Sequence, residues 1–181
     1  VGITCNCTPV LDVPVEGAHD VIGDRALGRD VATIVTIGRA IGEGHMAGGV
    51  VPVIKHIPGH GRATADSHHE LPTVDAARAD LEASDFATFR ALRDMPAAMT
   101  AHVVYTALDA DAPASTSRRA TDEIIRGDIG FGESVEVPVA SNTGGVCTYY
   151  GDSDRLLCTV LQSASGACTM PSGTCLLDVV V

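Results

Sequence analysis

Four of the seven histidines in the chain fall within fourteen residues, in a segment that also holds its only lysine. Residues 55–72 read KHIPGHGRATADSHHELP, so two cations, several imidazoles and two carboxylates share a short stretch. Imidazole titrates near neutral pH and can both give and take a proton. A carboxylate beside it can hold the proton on one ring nitrogen. A histidine of this segment, together with one of its carboxylates, could therefore act as a general acid/base.

The same histidines could instead bind a metal ion, because three imidazoles and a carboxylate can hold Zn²⁺. Of the candidate ligands, His68, His69 and Glu70 are adjacent in sequence rather than one helical turn apart. The Pro and Gly residues before them do not hold the segment in a fixed ligand geometry. We therefore predict no metal site. The candidate ligands of that alternative are His56, His60, His68, His69 and Glu70.

The reactive segment directly follows an apolar run that predicts a buried strand. Residues 50–54 carry no charge, which is typical of a strand covered on both faces of a parallel sheet. Lys55 and His56 come at its end, and active sites of (β/α) barrels are built from the loops that follow strand ends. The strand would thus hold these two side chains where the backbone moves least.

Apolar runs and helical patterns alternate along the first 131 residues. This order indicates an α/β fold with a parallel sheet or a (β/α) barrel. In the helix predicted over residues 31–47, Asp30 is the N-terminal cap and the isoleucines at 34, 37 and 41 have helical spacing. The predicted strands cover residues 3–10, 50–54 and 97–101, and the predicted helices cover residues 31–47, 76–93 and 117–126.

Several motifs, in the same order along the chain, resemble those of glycoside hydrolase family 3, in particular its bacterial β-N-acetylglucosaminidases of cell-wall recycling. They are residues 8–13 (TPVLDV), 22–25 (IGDR), 55–61 (KHIPGHG), 64–68 (TADSH), 99–103 (MTAHV) and 123–131 (EIIRGDIGF).

This resemblance implies an incomplete (β/α)₈ barrel of the TIM type and retaining hydrolysis of terminal β-linked N-acetylglucosamine, with no cofactor. It makes His68 the catalytic acid/base and Asp66 its partner. It also implies that Arg25, Lys55 and His56 bind the sugar. The implied substrates are N-acetylglucosaminyl–anhydromuramyl peptides, and the implied location is the cytoplasm.

The resemblance ends near residue 132, where the composition changes. Residues 132–181 are rich in Ser, Thr and Gly and hold four of the six cysteines, a single Arg, no Lys and no His. The family carries its nucleophile in a Ser-Asp-Asp run, which this chain lacks. We therefore predict a partial barrel over residues 1–131, an unmatched segment over 132–181 that is frame-shifted or disordered, and impaired hydrolysis.

Composition restricts the partners. The formal net charge is −11 and aromatic residues make up 3% of the chain, which argues against nucleic acid as a partner. No apolar run is long enough to span a bilayer, and no export signal is visible. The chain does not begin with Met, which suggests a piece of a longer protein. Two alternatives to the hydrolase remain, a non-catalytic sugar-binding remnant and another family 3 β-glycosidase.

Overall fold

The computed structural model describes residues 2–67 and 69–132, together with the backbone of three short strands further along the chain. In chain order the elements are β1 (Cys5–Asn6), a 3₁₀ turn (Gly23–Arg25), α1 (Val31–Ala47), β2 (Val51–Ile57), β3 (Thr73–Val74), α2 (Arg78–Asp80), a π-helical segment (Leu81–Asp85), α3 (Phe86–Ala91), β4 (Ala97–Thr100), β5 (Val104–Tyr105), a second π-helical segment (Ala120–Asp128), β6 (Val146–Tyr149), β7 (Leu156–Thr159) and β8 (Cys175–Leu176).

The main sheet is parallel and has the strand order β1–β2–β4–β8. α1 connects β1 to β2, and the helical stretch from α2 to α3 connects β2 to β4. β3 and β5 form a separate parallel pair, whereas β6 and β7 pair antiparallel. Parallel neighbours joined by helices are the defining pattern of α/β proteins, so the predicted fold class is confirmed at that level.

α1 forms where the sequence predicts it, over Val31–Ala47. At its start the N–H of Thr33 donates a hydrogen bond to Oδ1 of Asp30 at 2.9 Å. The first N–H groups of a helix have no partner within the helix, so this predicted cap stabilises its start. At the other end the chain leaves the helix at Gly48, and Gly49 follows with a φ of +75°, a conformation that favours glycine.

The face that α1 turns to the core differs from the predicted stripe of isoleucines. Ile34 is buried, but Ile37 is 39% exposed, and the buried stripe continues through Gly38 and Gly42. A Cβ on Gly38 would lie 2.6 Å from Cδ2 of Leu11, so the glycine allows the helix to approach the sheet closely. Helical spacing of the isoleucines predicts the helix correctly, but it does not show that glycines line the buried face of α1.

β2 is longer than its apolar run. It spans Val51–Ile57 rather than residues 50–54, because hydrogen bonding to β4 continues past the last apolar residue. Lys55 is paired with Met99 of β4. Lys55 and His56 therefore lie inside the carboxyl end of the strand rather than after it, which fixes their backbone more firmly than predicted.

The predicted strand over residues 3–10 is reduced to Cys5–Asn6 and one isolated bridge between Val10 and Lys55. Pro9, the next-to-last residue of the predicted strand, has no N–H and cannot donate to a ladder. The chain nevertheless stays beside β2 after this proline, which brings the residues that follow Val10 towards the carboxyl end of β2.

The helix predicted over residues 76–93 is observed from Arg78 to Ala91, with a π-helical segment in its middle. The helical spacing of this stretch predicts three buried residues, and each of them is 0% exposed: Leu81, Phe89 and Leu92. All three belong to the hydrophobic cluster that also contains side chains of β2, so this helical stretch covers the strand that carries Lys55 and His56.

The helix predicted over residues 117–126 is instead the π-helical segment Ala120–Asp128. Its predicted cap is present, since the N–H of Ala120 donates to Oγ of Ser117 at 3.0 Å. The strand predicted over residues 97–101 is confirmed as Ala97–Thr100. Within the part of the chain that the structure describes, no helix combines the length and the apolar character needed to cross a bilayer.

Candidate active site

The two residues near the end of β2 are held by different groups. Lys55 is held through its backbone, and His56 is held through its side chain by Asp12. Lys55 is fixed through its backbone, since its N–H donates to the carbonyl of Pro9 at 3.1 Å and its carbonyl accepts from Leu11 at 2.7 Å. No other residue among 2–67 and 69–132 forms a hydrogen bond or ion pair with its ammonium group. The peptide bond between Lys55 and His56 is cis.

Asp12 holds His56 in place. The Asp12 side chain is 0% exposed, and its Oδ2 lies 2.7 Å from Nδ1 of the His56 ring. Its Oδ1 accepts the backbone N–H of His56 at 3.2 Å and that of His60 at 2.7 Å. One buried carboxylate therefore joins the end of β2 to the start of the loop that follows.

The surroundings of Asp12 keep it ionised at neutral pH. Burial acts to raise the pKa of the Asp12 carboxyl, but the attraction and hydrogen bond of the His56 ring, with the N–H of His60, outweigh burial and lower this pKa below its ordinary value. An ionised carboxylate accepts hydrogen bonds and donates none. The atom of His56 that faces it therefore carries a hydrogen.

The first half of the 58–72 loop is anchored to the rest of the fold. Arg62 donates from Nε to Oδ2 of Asp85 at 2.7 Å and from Nη2 to Oγ of Ser84 at 2.9 Å. The hydroxyl of Tyr105 donates to the carbonyl of Gly59. Asp85 is 1% exposed, and burial raises the pKa of its carboxyl despite the hydrogen bonds from Ser84 and Arg62. These contacts fix the base of the loop against the α2–α3 stretch and β5.

His60 extends this anchoring into the loop. It is 4% exposed, and its Nε2 lies 3.2 Å from Oγ of Ser67, next to Asp66. Burial lowers the pKa of the His60 ring. A largely buried ring that contacts another loop residue shapes the loop from within, so His60 connects the part held by Asp12 to the part that carries Asp66.

Asp66 lies at a turn in the outer part of the loop. Its carbonyl accepts the N–H groups of His69 at 3.0 Å and Glu70 at 3.1 Å, and its side chain is 25% exposed. The ring of His69 is 83% exposed, with Nε2 4.0 Å from Oδ2 of Asp66. His68 lies outside the described residues, so its pairing with Asp66 stays a prediction. Among residues 2–67 and 69–132, no three His, Cys, Asp or Glu side chains are grouped as metal ligands would be.

Arg25, the third predicted sugar-binding residue, hydrogen-bonds the backbone of its own turn. It ends the 3₁₀ turn, is exposed, and donates from Nη2 to the carbonyl of Val21 at 2.6 Å and from Nε to that of Ile22 at 3.3 Å. A cleft of about 300 Å³ separates this turn from the 58–72 loop, with Gly23 on one side and Gly61 on the other. The guanidinium thus binds its own turn in this conformation.

Two contributions to the site were not found from the sequence. Its position at the end of a predicted strand indicates a structural role for Asp12 and does not reveal the contact with His56, because the two residues are 44 positions apart. The Arg62–Asp85 pair was missed for the same reason. A weak signal existed for Asp12, since a charged residue directly after the apolar residues 10 and 11 has to find a partner if it is buried.

Most of the chain resembles a known protein family. Residues 1–159 match the N-terminal domain of glycosyl hydrolase family 3. The chain therefore belongs to glycoside hydrolase family 3, as its motifs predicted. It is 40% identical over 132 residues to a β-hexosaminidase of Bordetella avium and 42% identical over 132 residues to one of Chromobacterium violaceum. These matches cover 72% of the chain but only 37% and 36% of the two relatives.

Solved structures agree with this assignment. A family 3 β-N-acetylglucosaminidase from Paenibacillus superposes with a TM-score of 0.68 at 37% identity, covering 72% of this chain and 25% of the other. NagZ from Neisseria gonorrhoeae, in complex with N-trifluoroacetyl-D-glucosamine, gives a TM-score of 0.67 at 40% identity, covering 72% and 38%. The chain thus corresponds to little more than a third of the NagZ chain.

Proposed function

We propose that this chain is part of a (β/α)₈ barrel of the TIM type that hydrolyses terminal β-linked N-acetylglucosamine with retention of configuration. The observation that carries the proposal is the end of β2. There the ammonium group of Lys55, which has no partner among residues 2–67 and 69–132, and the His56 imidazole held by a buried carboxylate stand at the base of an anchored loop. The names of the relatives, β-hexosaminidase and β-N-acetylglucosaminidase, support the choice of sugar.

In the proposed mechanism the strand end binds the sugar and the loop acts on it. Lys55 and His56 hydrogen-bond hydroxyl groups, and a charged donor makes such bonds about twice as strong as a neutral one. His68 protonates the leaving oxygen and then deprotonates water, while Asp66 orients its ring. Arg25 joins as a third sugar ligand after its side chain leaves the carbonyl groups of its own turn. Neither proton transfer requires a cofactor.

The proposed natural substrates are N-acetylglucosaminyl–anhydromuramyl peptides, and the proposed location is the cytoplasm, where bacteria recycle such cell-wall fragments. Both follow from the resemblance of the 55–68 segment to the enzymes of that pathway. Related family 3 enzymes that cleave β-glucosides or β-xylosides generally take their acid/base carboxyl group from elsewhere. The Asp-Ser-His run at residues 66–68 favours the N-acetylglucosaminidases.

Retaining hydrolysis also needs a nucleophile, and no Ser-Asp-Asp run is present in the sequence. We propose that residues 1–131 are the partial barrel and that residues 132–181 are a frame-shifted or disordered segment. Translating the coding sequence in its other two frames tests the frame shift. We expect one of them to give an Asp-Gly turn, an apolar strand and Ser-Asp-Asp after residue 132, and the absence of all three from both frames would refute the idea.

A second function, a sugar-binding remnant without turnover, is favoured by the same missing run. Binding needs only Lys55, His56 and Arg25, whereas hydrolysis without a covalent nucleophile keeps only acid catalysis, about 10²–10⁴-fold.

One pair of measurements on the 181-residue chain separates the two functions. A chromogenic N-acetylglucosaminide reports hydrolysis, and calorimetry reports the binding of N-acetylglucosamine. We expect binding with very slow turnover, whereas binding without any hydrolysis would favour the sugar-binding remnant. Brisk hydrolysis would show that the chain has another nucleophile, and a lack of both binding and hydrolysis would refute the proposed function.

A further inference from the structure

We infer that Asp12 is a positioning residue that sets the tautomer of His56, so that Nε2 is the ring atom offered to the sugar. This inference rests on the proposed function, because it concerns how the same site presents a ligand-binding group. Asp12 itself is 0% exposed and does not contact the ligand directly. It acts only through His56 and through the loop.

The tautomer follows from the contact between Asp12 and the ring. Oδ2 of Asp12 lies 2.7 Å from Nδ1 of His56, and a carboxylate can only accept. Nδ1 therefore carries the hydrogen, and in the neutral ring the lone pair is on Nε2. Among residues 2–67 and 69–132, no group forms a hydrogen bond with this Nε2. The His56 side chain is 17% exposed, so a ligand can reach it.

The two oxygens of Asp12 have separate tasks. Oδ2 fixes the ring of His56, whereas Oδ1 accepts the backbone N–H groups of His56 and His60. The hydrogen bonds to Oδ1 hold the loop to the end of β2. A substitution that changes only Oδ2 can therefore alter the tautomer while it leaves the loop anchored.

The inferred tautomer makes the strand end a mixed donor and acceptor. Lys55 can only donate hydrogen bonds, whereas Nε2 of a neutral His56 with its hydrogen on Nδ1 can only accept. A sugar hydroxyl has one hydrogen to donate and two lone pairs that accept, so one hydroxyl, or two adjacent ones, can satisfy both groups. With the hydrogen on Nε2 instead, both protein groups would donate and the hydroxyl hydrogen would lose its acceptor.

The substitution Asp12→Asn tests this inference in the full chain. The amide oxygen can still accept from the N–H groups of His56 and His60, but the amide NH₂ now faces Nδ1 and donates to it. We expect the ring hydrogen to move to Nε2, which long-range ¹H–¹⁵N spectra of the imidazole report directly. We also expect the affinity for N-acetylglucosamine to fall about tenfold, the effect of one lost neutral hydrogen bond.

Thr88→Val is the matched control. Thr88 is also buried, and its hydroxyl donates to the carbonyl of Leu11 beside Asp12, but it does not contact His56. This variant loses a neighbouring buried hydrogen bond and should keep both the tautomer and the affinity.

Each outcome decides a different point. An unchanged His56 tautomer in Asp12→Asn would overturn the inference, and so would a changed tautomer with unchanged affinity. If Thr88→Val alters the ring as much as Asp12→Asn does, the effect is general loosening and the inference fails. If the unmodified chain does not bind the sugar at all, the proposed function fails, whereas the ¹⁵N result still decides what Asp12 does to the ring.

Discussion

Replacing Lys55 with methionine is expected to weaken the binding of N-acetylglucosamine on the order of 10- to 100-fold. Methionine keeps most of the apolar stem and removes the ammonium group, and a hydrogen bond from a charged donor contributes about 1.5–3 kcal/mol. Within the described residues the ammonium group has no protein partner to lose, so the fold should be unaffected. Calorimetric titration of the purified variant measures the change in affinity.

Arg118→Met provides the control for charge. It removes the same unit of positive charge from a side chain that is 82% exposed and far along the chain from β2. We expect its affinity for the sugar to equal that of the unmodified chain. Equal affinities for all three proteins would contradict the role of Lys55, and equal losses in both variants would reveal a general effect of net charge.

Gly61→Ala is expected to destabilise the fold by about 3 kcal/mol or more. A Cβ at this position would lie 2.1 Å from the carbonyl oxygen of Val13, and a backbone atom cannot move aside as the end of a flexible side chain can. The loop would have to leave Val13, which would also break the hydrogen bond from the N–H of Val15 to Gly61. Urea unfolding followed by circular dichroism measures the loss.

Gly44→Ala is the matched control for this substitution. Gly44 is exposed in the last turn of α1, and a Cβ there has no atom within 4 Å. Alanine is a better helix former than glycine, so this variant should gain about 0.5–1 kcal/mol. If Gly61→Ala is as stable as the unmodified chain, the close approach between the loop and Val13 is not present in solution.

The parts of the fold that depend on near neighbours in sequence were predicted well. α1 is the clearest case, because its cap at Asp30, its period and its glycine stop all lie within about twenty residues. β2 was recognised from its apolar run, but its end was not. The continuation of β2 through Lys55 and His56 depends on pairing with β4, more than forty residues away.

The buried face of α1 is determined by its packing against neighbouring elements and could not be predicted from helical periodicity. The buried face of α1 runs through Gly38 and Gly42, and a Cβ on Gly42 would lie 2.7 Å from Sδ of Met95. Which side of a helix approaches a neighbour this closely depends on the shape of that neighbour. The shape of the neighbour cannot be predicted from the sequence of the helix alone.

The candidate site was predicted in part. The adjacency of Lys55 and His56 could be predicted because they are neighbours at a strand end, and the link from His60 to Ser67 stays within one loop. The contact of Asp12 with His56 could not be predicted, since folding brings them together across 44 positions. Arg25 matches its motif, yet local hydrogen bonds to its own turn hold it in this conformation.

The measurement that tests the central claim most directly is an NMR titration of the 181-residue chain with N-acetylglucosamine. The claim is that the carboxyl end of β2 holds the sugar. We predict saturable shifts of the His56 ring and of backbone amides from Lys55 to His60, with smaller changes elsewhere. Saturable shifts confined to another region, or none at millimolar sugar, would contradict it.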